Sequence, residues 1–169
     1  YFRDLSKRTY VVLEYGIESV LDRTLKRVNR GHDAAKSLWA VRETAARGIR
    51  VGGHVILGLP GESRNDFLET ARELSRWPLD NIKFHQLQIL RGTAMAREFR
   101  EKPEDFVEFS LESYLELMME ILELLHPSFV VERIAGEVSP GVYSLVGEWS
   151  AAHNSAAYNI YFQKSQREF

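Results

Sequence analysis

The sequence alternates between short strand-like runs and helical segments, and this alternation constrains the fold more than any other feature. Predicted strands cover residues 9–17, 50–58 and 81–89. Helical patterns separate them, one from about residue 33 to 47 and the next from about 63 to 76. Strands that alternate with helices in this way are typical of right-handed βαβ units, which place the strands in one parallel sheet.

Local signals predict where these two helices begin and end. Asp33 is suited to cap the start of the first helix, and Gly48 lies where a glycine in the left-handed conformation would end it. Ser63 and Asp66 have the spacing of a capping box at the start of the second helix. The Trp-Pro pair at 77–78 should end that helix.

The alternation is lost after residue 91. Gly92 and Thr93 should open a short helix, and a long amphipathic helix is predicted from about residue 105 to 125. A short strand is predicted at 129–134. The residues from Ser150 onward have a helical pattern, with aromatic side chains on one side at Tyr158, Tyr161 and Phe162.

Each of the three predicted strands has one apolar face and one face with ionisable groups. The second face carries Glu14, Gly16 and Glu18 on the first strand, His54, Ile56 and Gly58 on the second, and Lys83 and His85 on the third. Buried parallel strands are normally apolar on both faces. If helices cover the apolar face, the polar face lines the concave interior of an open or partial barrel, which suits a polar ligand.

The carboxyl ends of the predicted strands are polar or rich in glycine. They comprise Glu18, residues 58–61 and residues 90–93. Ligands of α/β proteins bind at these ends. Taken singly, the signals have structural explanations, because the glutamates could pair with arginines at a domain edge and His54 could be a hydrogen-bonded core residue. Their equivalent places on successive strands favour a binding site.

Composition limits the classes of function. The net charge of −2 argues against a general nucleic-acid surface or a polybasic membrane patch. No apolar run approaches the roughly 20 residues of a membrane helix, so we expect no membrane contact and a cytoplasmic location. The sequence has no cysteine, which excludes disulfides and thiolate metal sites within the chain, and we predict no metal ligands.

Several segments resemble radical SAM proteins. Residues 12–19, VLEYGIES, resemble the fourth-strand motif of that superfamily, usually E-x-G-(L/I/V)-Q-S, and residues 24–32 resemble the stretch that follows it. Residues 54–62, HVILGLPGE, resemble the fifth-strand segment. Residues 82–85 with 91–94 resemble the sixth strand and its exit loop. The sequence is most similar to the YhcC-like subgroup, related to the Elongator-type proteins, from about Tyr10 to Leu125.

The resemblance implies a six-stranded partial (β/α) TIM-like barrel, of which this chain holds strands four to six. Residues 1–100 would be the C-terminal half of the barrel, and residues 101–169 a helical extension with a short strand. The family binds a 4Fe-4S cluster through a C-x-x-x-C-x-x-C motif after its first strand. Such cysteines would lie upstream of this chain. The full-length protein would reductively cleave S-adenosylmethionine to make a 5′-deoxyadenosyl radical, and this chain alone would be inactive.

The resemblance also implies roles for individual residues. Glu18 would approach the ribose of S-adenosylmethionine, where many relatives have Gln. The residues that would flank the adenine are Ile56 and Gly58 on the second strand and Leu90 and Gly92 in the loop after the third. The residues that would face substrate or cofactor, with no catalytic step assigned, are Glu14, His54, Lys83 and His85.

Two other functions remain open at this stage. A degenerate, non-catalytic barrel would bind a nucleotide-like ligand or a protein partner, as the missing cysteines suggest. An unrelated phosphate-handling barrel would need a cup of backbone N–H groups, and Pro60 removes one such donor from the turn at 58–61. A cluster motif upstream would favour the enzyme over the degenerate binder.

The substrate and partners are not specified by any motif. RNA is suggested only by analogy with the Elongator-type relatives, and the near-neutral charge does not support an RNA surface. Half a barrel should leave strand edges open at the first strand and at the outer side of the third. Because exposed edges pair readily, we expect a homo-oligomer that covers them.

Overall fold

The computed structural model describes residues 1–136 of the chain, and their strands form one parallel sheet. The strand order is β1 (Val12–Glu18), β2 (Arg50–Leu57), β3 (Asn81–Gln86) and β4 (Val130–Arg133). The helices are α1 (Phe2–Ser6), α2 (Asp22–Arg27), α3 (Ala34–Ala45), α4 (Arg64–Leu74), α5 (Ala94–Glu101) and α6 (Leu111–Leu124), with a 3-10 turn at Pro103–Asp105. The predicted α/β class with a partial barrel sheet is confirmed.

The hydrophobic core lies between the sheet and the helices on one of its faces. The sheet contributes the side chains predicted to be apolar, among them Ile17, Val51, Val55, Leu57, Ile82 and Phe84. Helices α4 and α6 contribute Phe67, Leu74, Leu117 and Ile121. All of these side chains are buried, so the alternation along each strand does separate a core face from an inner face.

The predicted helix starts are confirmed by their hydrogen bonds. The Asp33 side chain accepts from the Lys36 backbone N–H at 2.8 Å. Ser63 Oγ accepts from the Asp66 N–H at 3.4 Å while the Asp66 carboxylate accepts from the Ser63 N–H at 2.8 Å, which completes the capping box. Thr93 caps α5 by accepting from the Ala96 N–H at 3.1 Å.

Gly48 ends the α3 segment as the sequence predicted. Its φ of +72° lies in the left-handed region, which a residue without Cβ adopts at little cost. Gly48 N–H donates to the Ala45 carbonyl at 2.8 Å, and Ile49 N–H donates to the Thr44 carbonyl at 3.4 Å. This pair of bonds is the Schellman arrangement, and it turns the chain directly into β2.

The long helix begins later than the sequence predicted. It starts at Leu111, where Ser110 caps it by accepting from the Ser113 N–H at 3.1 Å. Asp105 instead ends the 3-10 turn, and Phe106 is buried in a second apolar cluster with Leu59, Leu87 and Ile89. Strand β3 likewise ends at Gln86, before the predicted residue 89, where the chain turns toward this second cluster.

The predicted strand at 129–134 is confirmed, and it extends the main sheet. Val130 pairs with Asn81 and Val131 with Ile82, so β4 lies parallel beside β3. The outer edge of β3, expected to be open, is therefore covered. The outer edge of β1 has no strand partner within residues 1–136. The helix predicted from Ser150 lies outside the described residues.

Candidate functional site

Four side chains from the four strands meet on the inner face of the sheet. They form what we call the inner-face cluster, Glu14, His54, Lys83 and Glu132. His54 Nε2 lies 2.9 Å from Glu14 Oε2, and Lys83 Nζ lies 3.0 Å from Glu132 Oε2. Lys83 also donates a short hydrogen bond to Glu14. Lys83 is therefore held between two carboxylates.

Strand register and a glycine explain how Glu14 reaches Lys83 across β2. Glu14 pairs with Gly52, and His54 pairs with Lys83. A Cβ atom on Gly52 would lie 3.0 Å from Glu14 Cγ, so the glutamate side chain occupies the space above this residue. A larger residue at position 52 would displace the carboxylate from the middle of the cluster.

The contacts in the inner-face cluster keep its carboxylates and lysine charged. The hydrogen bond from Lys83, followed by that from His54, lowers the pKa of Glu14 below its ordinary value. The Lys83 and Asn81 hydrogen bonds lower the pKa of Glu132, and the Glu14 hydrogen bond raises the pKa of Lys83. Each carboxylate is about one-third exposed, so solvent screens these interactions.

His85 lies on the same face, one step further along β3. Its ring stacks on His54 with centroids 6.1 Å apart and an interplanar angle of 22°. Burial, then the charge of Arg133, lowers the pKa of His85, which favours a neutral imidazole. The four predicted inner-face residues Glu14, His54, Lys83 and His85 are thus neighbours, with His85 as the neutral ring beside the charged groups.

Glu18 lies at the carboxyl end of β1 in an unusual backbone conformation. Its φ is +65°, and the Ser19 N–H donates to the Ile17 carbonyl at 2.9 Å, which makes Glu18 the central residue of a γ-turn. The ladder to β2 is interrupted between Gly16 and Glu18, and Glu18 pairs with Val55. Its carboxylate lies 3.3 Å from Arg30 Nη2, and burial raises its pKa.

The residues expected to flank an adenine lie at the end of β2 and in the loop after β3. Gly58 is buried with φ +92°, and a Cβ atom there would lie 3.0 Å from the Phe109 ring. Ile56 is half-buried against the second apolar cluster, which also contains Ile89. Leu90 follows that residue and is exposed, and Gly92 has φ +84° with open space around it.

The structure shows three further polar residues that the sequence did not single out. Ser19 Oγ donates to Glu62 Oε1 at 2.6 Å, and both residues are buried. Glu132 joins the inner-face cluster from β4. Ser19 and Glu62 belong to the motifs quoted above, but nothing in either motif indicates that they touch. Glu132 lies on a strand too short to show an alternating pattern.

The residues fit one part of the implied cofactors and not the other. A half-buried carboxylate at a glycine-rich strand end suits the hydroxyl groups of a ribose. No cysteine occurs in the sequence, so the thiolates of a 4Fe-4S cluster cannot come from these residues. Within residues 1–136, no three His, Asp or Glu side chains are grouped to hold a metal ion. No helix in that range is long and apolar enough to cross a bilayer.

Comparison with protein families identifies the class to which this sheet and its strand-end motifs belong. Residues 1–74 match the radical SAM superfamily, and residues 79–160 match the Radical_SAM C-terminal domain. The chain belongs to the radical SAM superfamily.

Individual curated proteins are similar to this chain over most of its length. Protein YtqA of Bacillus subtilis (strain 168) is 35% identical over 137 residues, 81% of this chain and 42% of its own length. Protein YhcC of Escherichia coli (strain K12) is 34% identical over 125 residues, 74% of this chain and 40% of its own length. The chain therefore spans about two fifths of these curated relatives.

A solved structure supports the fold. The archaeal Methanocaldococcus infernus Elp3 with an N-terminal deletion superposes with a TM-score of 0.79 at 18% identity. The match covers 97% of this chain and 38% of that one. These findings confirm the resemblance to radical SAM proteins and the partial barrel derived from the sequence.

Proposed function

We propose that the full-length protein is a radical SAM enzyme and that this chain supplies the half of its barrel that binds the adenosyl group of S-adenosylmethionine. Membership of the superfamily supports the reaction class. The observation that carries the proposal is Glu18, a half-buried carboxylate turned out of the end of β1 beside the glycine-rich end of β2. Two adjacent ribose hydroxyls need two acceptors in one place, and a carboxylate offers both.

Glu18 is the proposed ribose-binding residue, where many relatives have Gln. Burial leaves the Glu18 carboxylate poorly solvated, which raises its pKa and means that it gains from a hydroxyl donor. Arg30 at 3.3 Å provides a countercharge that favours the ionised form and partly opposes the effect of burial on the pKa of Glu18. The change from amide to carboxylate removes a donor and leaves the acceptor function intact.

The adenine is proposed to lie between the end of β2 and the loop after β3. Ile56 is half-buried and offers an apolar surface to one side of the ring. Gly58 follows at the end of β2, where its missing side chain lets the Phe109 ring pack closely beneath the site. Leu90 is exposed and would cover the other side of the ring. Gly92 allows the loop to turn sharply after Leu90.

When bound, the upstream cluster and S-adenosylmethionine would together supply a 5′-deoxyadenosyl radical for hydrogen abstraction from a substrate. The residues of this chain would orient the nucleoside and exclude water from the inner face. Glu14, His54, Lys83 and His85 are proposed to face that substrate. RNA remains a suggestion by analogy alone, and the cytoplasmic location remains a prediction.

Pairing of β1 with another strand is part of the proposal. The outer edge of β1 has no strand partner within residues 1–136, which supports association there with a second copy or another strand. Size-exclusion chromatography with light scattering of the isolated chain measures self-association directly. A monomer at all concentrations would contradict the homo-oligomer.

The test is formation of 5′-deoxyadenosine from S-adenosylmethionine by the reduced, cluster-loaded full-length protein. Glu18→Ala should lower the rate at sub-saturating S-adenosylmethionine by about tenfold to a hundredfold, equivalent to about 1.4–2.7 kcal/mol of binding. Glu18→Gln should retain most of the wild-type rate. Glu123→Ala is the matched control, because Glu123 is an exposed glutamate on α6.

Each outcome of this assay separates the functions considered. No product from a protein with an intact cluster, combined with measurable binding of S-adenosylmethionine, would support the non-catalytic binder. Product formation that is insensitive to Glu18→Ala would leave the enzyme class intact and refute the ribose assignment.

A further inference from the structure

We propose that Ser19 and Glu62 are a positioning pair, which fixes the γ-turn at Glu18 and so determines how well the adenosyl site discriminates a ribose from a deoxyribose. The inference rests on the proposed ribose-binding function of Glu18. It concerns two residues that have no place in that function so far. Neither is expected to touch the ligand, because both are buried.

Glu18 has a backbone conformation that needs support from its surroundings. A φ of +65° is uncommon for a residue with a side chain, and a γ-turn of this hand is rare in proteins. Such a conformation persists only where surrounding contacts hold it. If those contacts are removed, Glu18 can relax to an ordinary extended conformation and its carboxylate points elsewhere.

Contacts on the strand side of the turn come from Arg30. Its Nη2 donates to the Gly16 carbonyl at 2.7 Å and lies 3.3 Å from the Glu18 carboxylate. A Cβ atom on Gly16 would lie 2.5 Å from Arg30 Nη2, so this approach requires glycine. Arg30 is partly exposed, however, and an exposed guanidinium can move.

Contacts on the other side come from Ser19, and these are buried. Its Oγ donates to Glu62 Oε1 at 2.6 Å and accepts from the Leu21 N–H at 3.1 Å. The hydroxyl therefore uses its donor and an acceptor position at once. It ties the residue after Glu18 both to the start of α2 and to the turn that follows β2.

The chemistry of Glu62 supports a specific role for its hydrogen bond with Ser19. Glu62 is only 5% exposed, and it accepts a hydrogen bond from the Ser19 hydroxyl, whereas Arg23 acts on it through its charge alone. Burial raises its pKa, so an ionised side chain is disfavoured at this position. A carboxylate nevertheless accepts a shorter and stronger hydrogen bond than an amide does. Its presence is explained if it is needed to hold Ser19 firmly.

The position of Glu62 connects the two halves of the proposed adenosyl site. It follows the turn at 58–61, which contains Gly58, and it precedes Ser63, the cap of α4. A contact from Glu62 to Ser19 therefore fixes the distance between the end of β2 and Glu18. The first is proposed to contact the adenine and the second the ribose. Either a purely stabilising role or a positioning role would fit the burial, so the test needs a readout that stability does not move.

The readout is the ratio of dissociation constants of the full-length protein for 2′,5′-dideoxyadenosine and 5′-deoxyadenosine, measured by titration calorimetry. These two probes differ only in the 2′ hydroxyl. Ser19→Ala and Glu62→Leu should each lower this ratio by about tenfold while the protein stays folded by circular dichroism. Glu62→Gln should give an intermediate ratio, because its amide oxygen still accepts from Ser19 but forms a weaker hydrogen bond than a carboxylate does. Glu123→Ala should leave the ratio unchanged.

A double-mutant cycle identifies the cause. In a Glu18→Ala background the two dissociation constants should already be nearly equal, and adding Ser19→Ala should not change their ratio further. If Ser19→Ala does not fold, Ser19→Cys keeps the size of the side chain and weakens its donor, and it should give an intermediate ratio.

Two results would overturn the inference, and they can be told apart. If Glu18→Ala leaves the ratio intact, the ribose-binding function itself is wrong and the pair has nothing to position. If Glu18→Ala removes the ratio but Ser19→Ala and Glu62→Leu lower only the melting temperature, then the pair stabilises the fold and does not position Glu18.

Discussion

Two groups of polar contacts on this sheet contrast in burial and in chemistry. The inner-face cluster consists of charged side chains from four strands, open to solvent, with Lys83 held between Glu14 and Glu132. The Ser19–Glu62 contact is a single hydrogen bond between residues that are 1% and 5% exposed. The first can rearrange as charges are added or removed, whereas the second has no solvent to replace a lost partner.

The difference in burial indicates that the Ser19–Glu62 contact determines backbone geometry and that the inner-face cluster determines the local electrostatic potential. Partly exposed ion pairs contribute about 0.2–1 kcal/mol each, because water and salt compete for them. A buried hydrogen bond contributes about 0.5–1.5 kcal/mol, and removing one partner costs about 1–3 kcal/mol because the other partner is left unsatisfied. We therefore expect the Ser19–Glu62 contact to fix the turn at Glu18, and the inner-face cluster to tune the electrostatic potential that a substrate meets.

The largest effect is expected from Ser19→Ala. It removes the hydroxyl from a buried carboxylate and from the Leu21 N–H, so the free energy of unfolding should fall by about 2–3 kcal/mol. Urea denaturation followed by circular dichroism measures this. Ser75→Ala is the control, since Ser75 makes no side-chain hydrogen bond among residues 1–136. A loss below about 0.5 kcal/mol would mean that the Ser19–Glu62 contact contributes no more than a surface ion pair.

A smaller loss is expected from Lys83→Met. It leaves Glu14 and Glu132 facing each other without their shared cation, and the free energy of unfolding should fall by about 1 kcal/mol after screening is considered. The loss should shrink as salt is added. Arg64→Ala, which breaks the exposed pair with Glu120, is the baseline and should cost about 0.5 kcal/mol or less. A Lys83→Met loss larger than that of Ser19→Ala would reverse the ranking of the two regions.

The pH dependence of stability should differ in sign between the two regions, and Glu62→Gln tests the Ser19–Glu62 contact. Burial raises the pKa of Glu62 above its ordinary value of 4.5, so the folded state holds that proton more tightly than the unfolded state. Its contribution to stability is complete below pH 4.5 and declines as the pH rises through the raised pKa. Wild type should therefore lose stability relative to Glu62→Gln over that interval. Parallel pH profiles of the two proteins would contradict the burial effect.

The smallest effect is expected from Glu14→Gln, and it has the opposite sign. The Lys83 hydrogen bond lowers the pKa of Glu14 from 4.5, so its contribution is present above that pH and is lost as the pH falls through the lowered pKa. Wild type should exceed the variant by about 0.5 kcal/mol at neutral pH and approach it in acid. Thermal melts at several pH values measure the difference, and a gap that widens in acid would refute the assignment.

The sequence predicts those parts of the fold that depend on neighbouring residues. The cap at Asp33, the capping box at Ser63 and the left-handed Gly48 are local, and the structure confirms all three. The start of the long helix at Leu111 was missed, because the helical pattern continues past Ser110 and does not reveal that Phe106 packs into a distant cluster.

Long-range contacts explain what the sequence left out of the candidate site. Alternation along the strands placed Glu14, His54, Lys83 and His85 on one face, and register brings them together. The bond between Ser19 and Glu62 joins residues 43 positions apart. A contact across such a distance depends on how two loops pack against each other. The pattern of residue types along the sequence does not predict this packing.

The glycine pair in the middle of β2 has a further consequence. Gly52 faces Glu14 on the inner side, and a Cβ atom on Gly53 would lie 2.8 Å from Ile17 Cδ1 on the core side. At this place a bare peptide backbone is all that separates an ionic layer from a hydrocarbon layer. Because neither glycine has a side chain, the charged Glu14 and the apolar Ile17 both pack directly against the β2 backbone from opposite faces. The distance between the charged face and the hydrophobic core is therefore shortest at this pair of glycines.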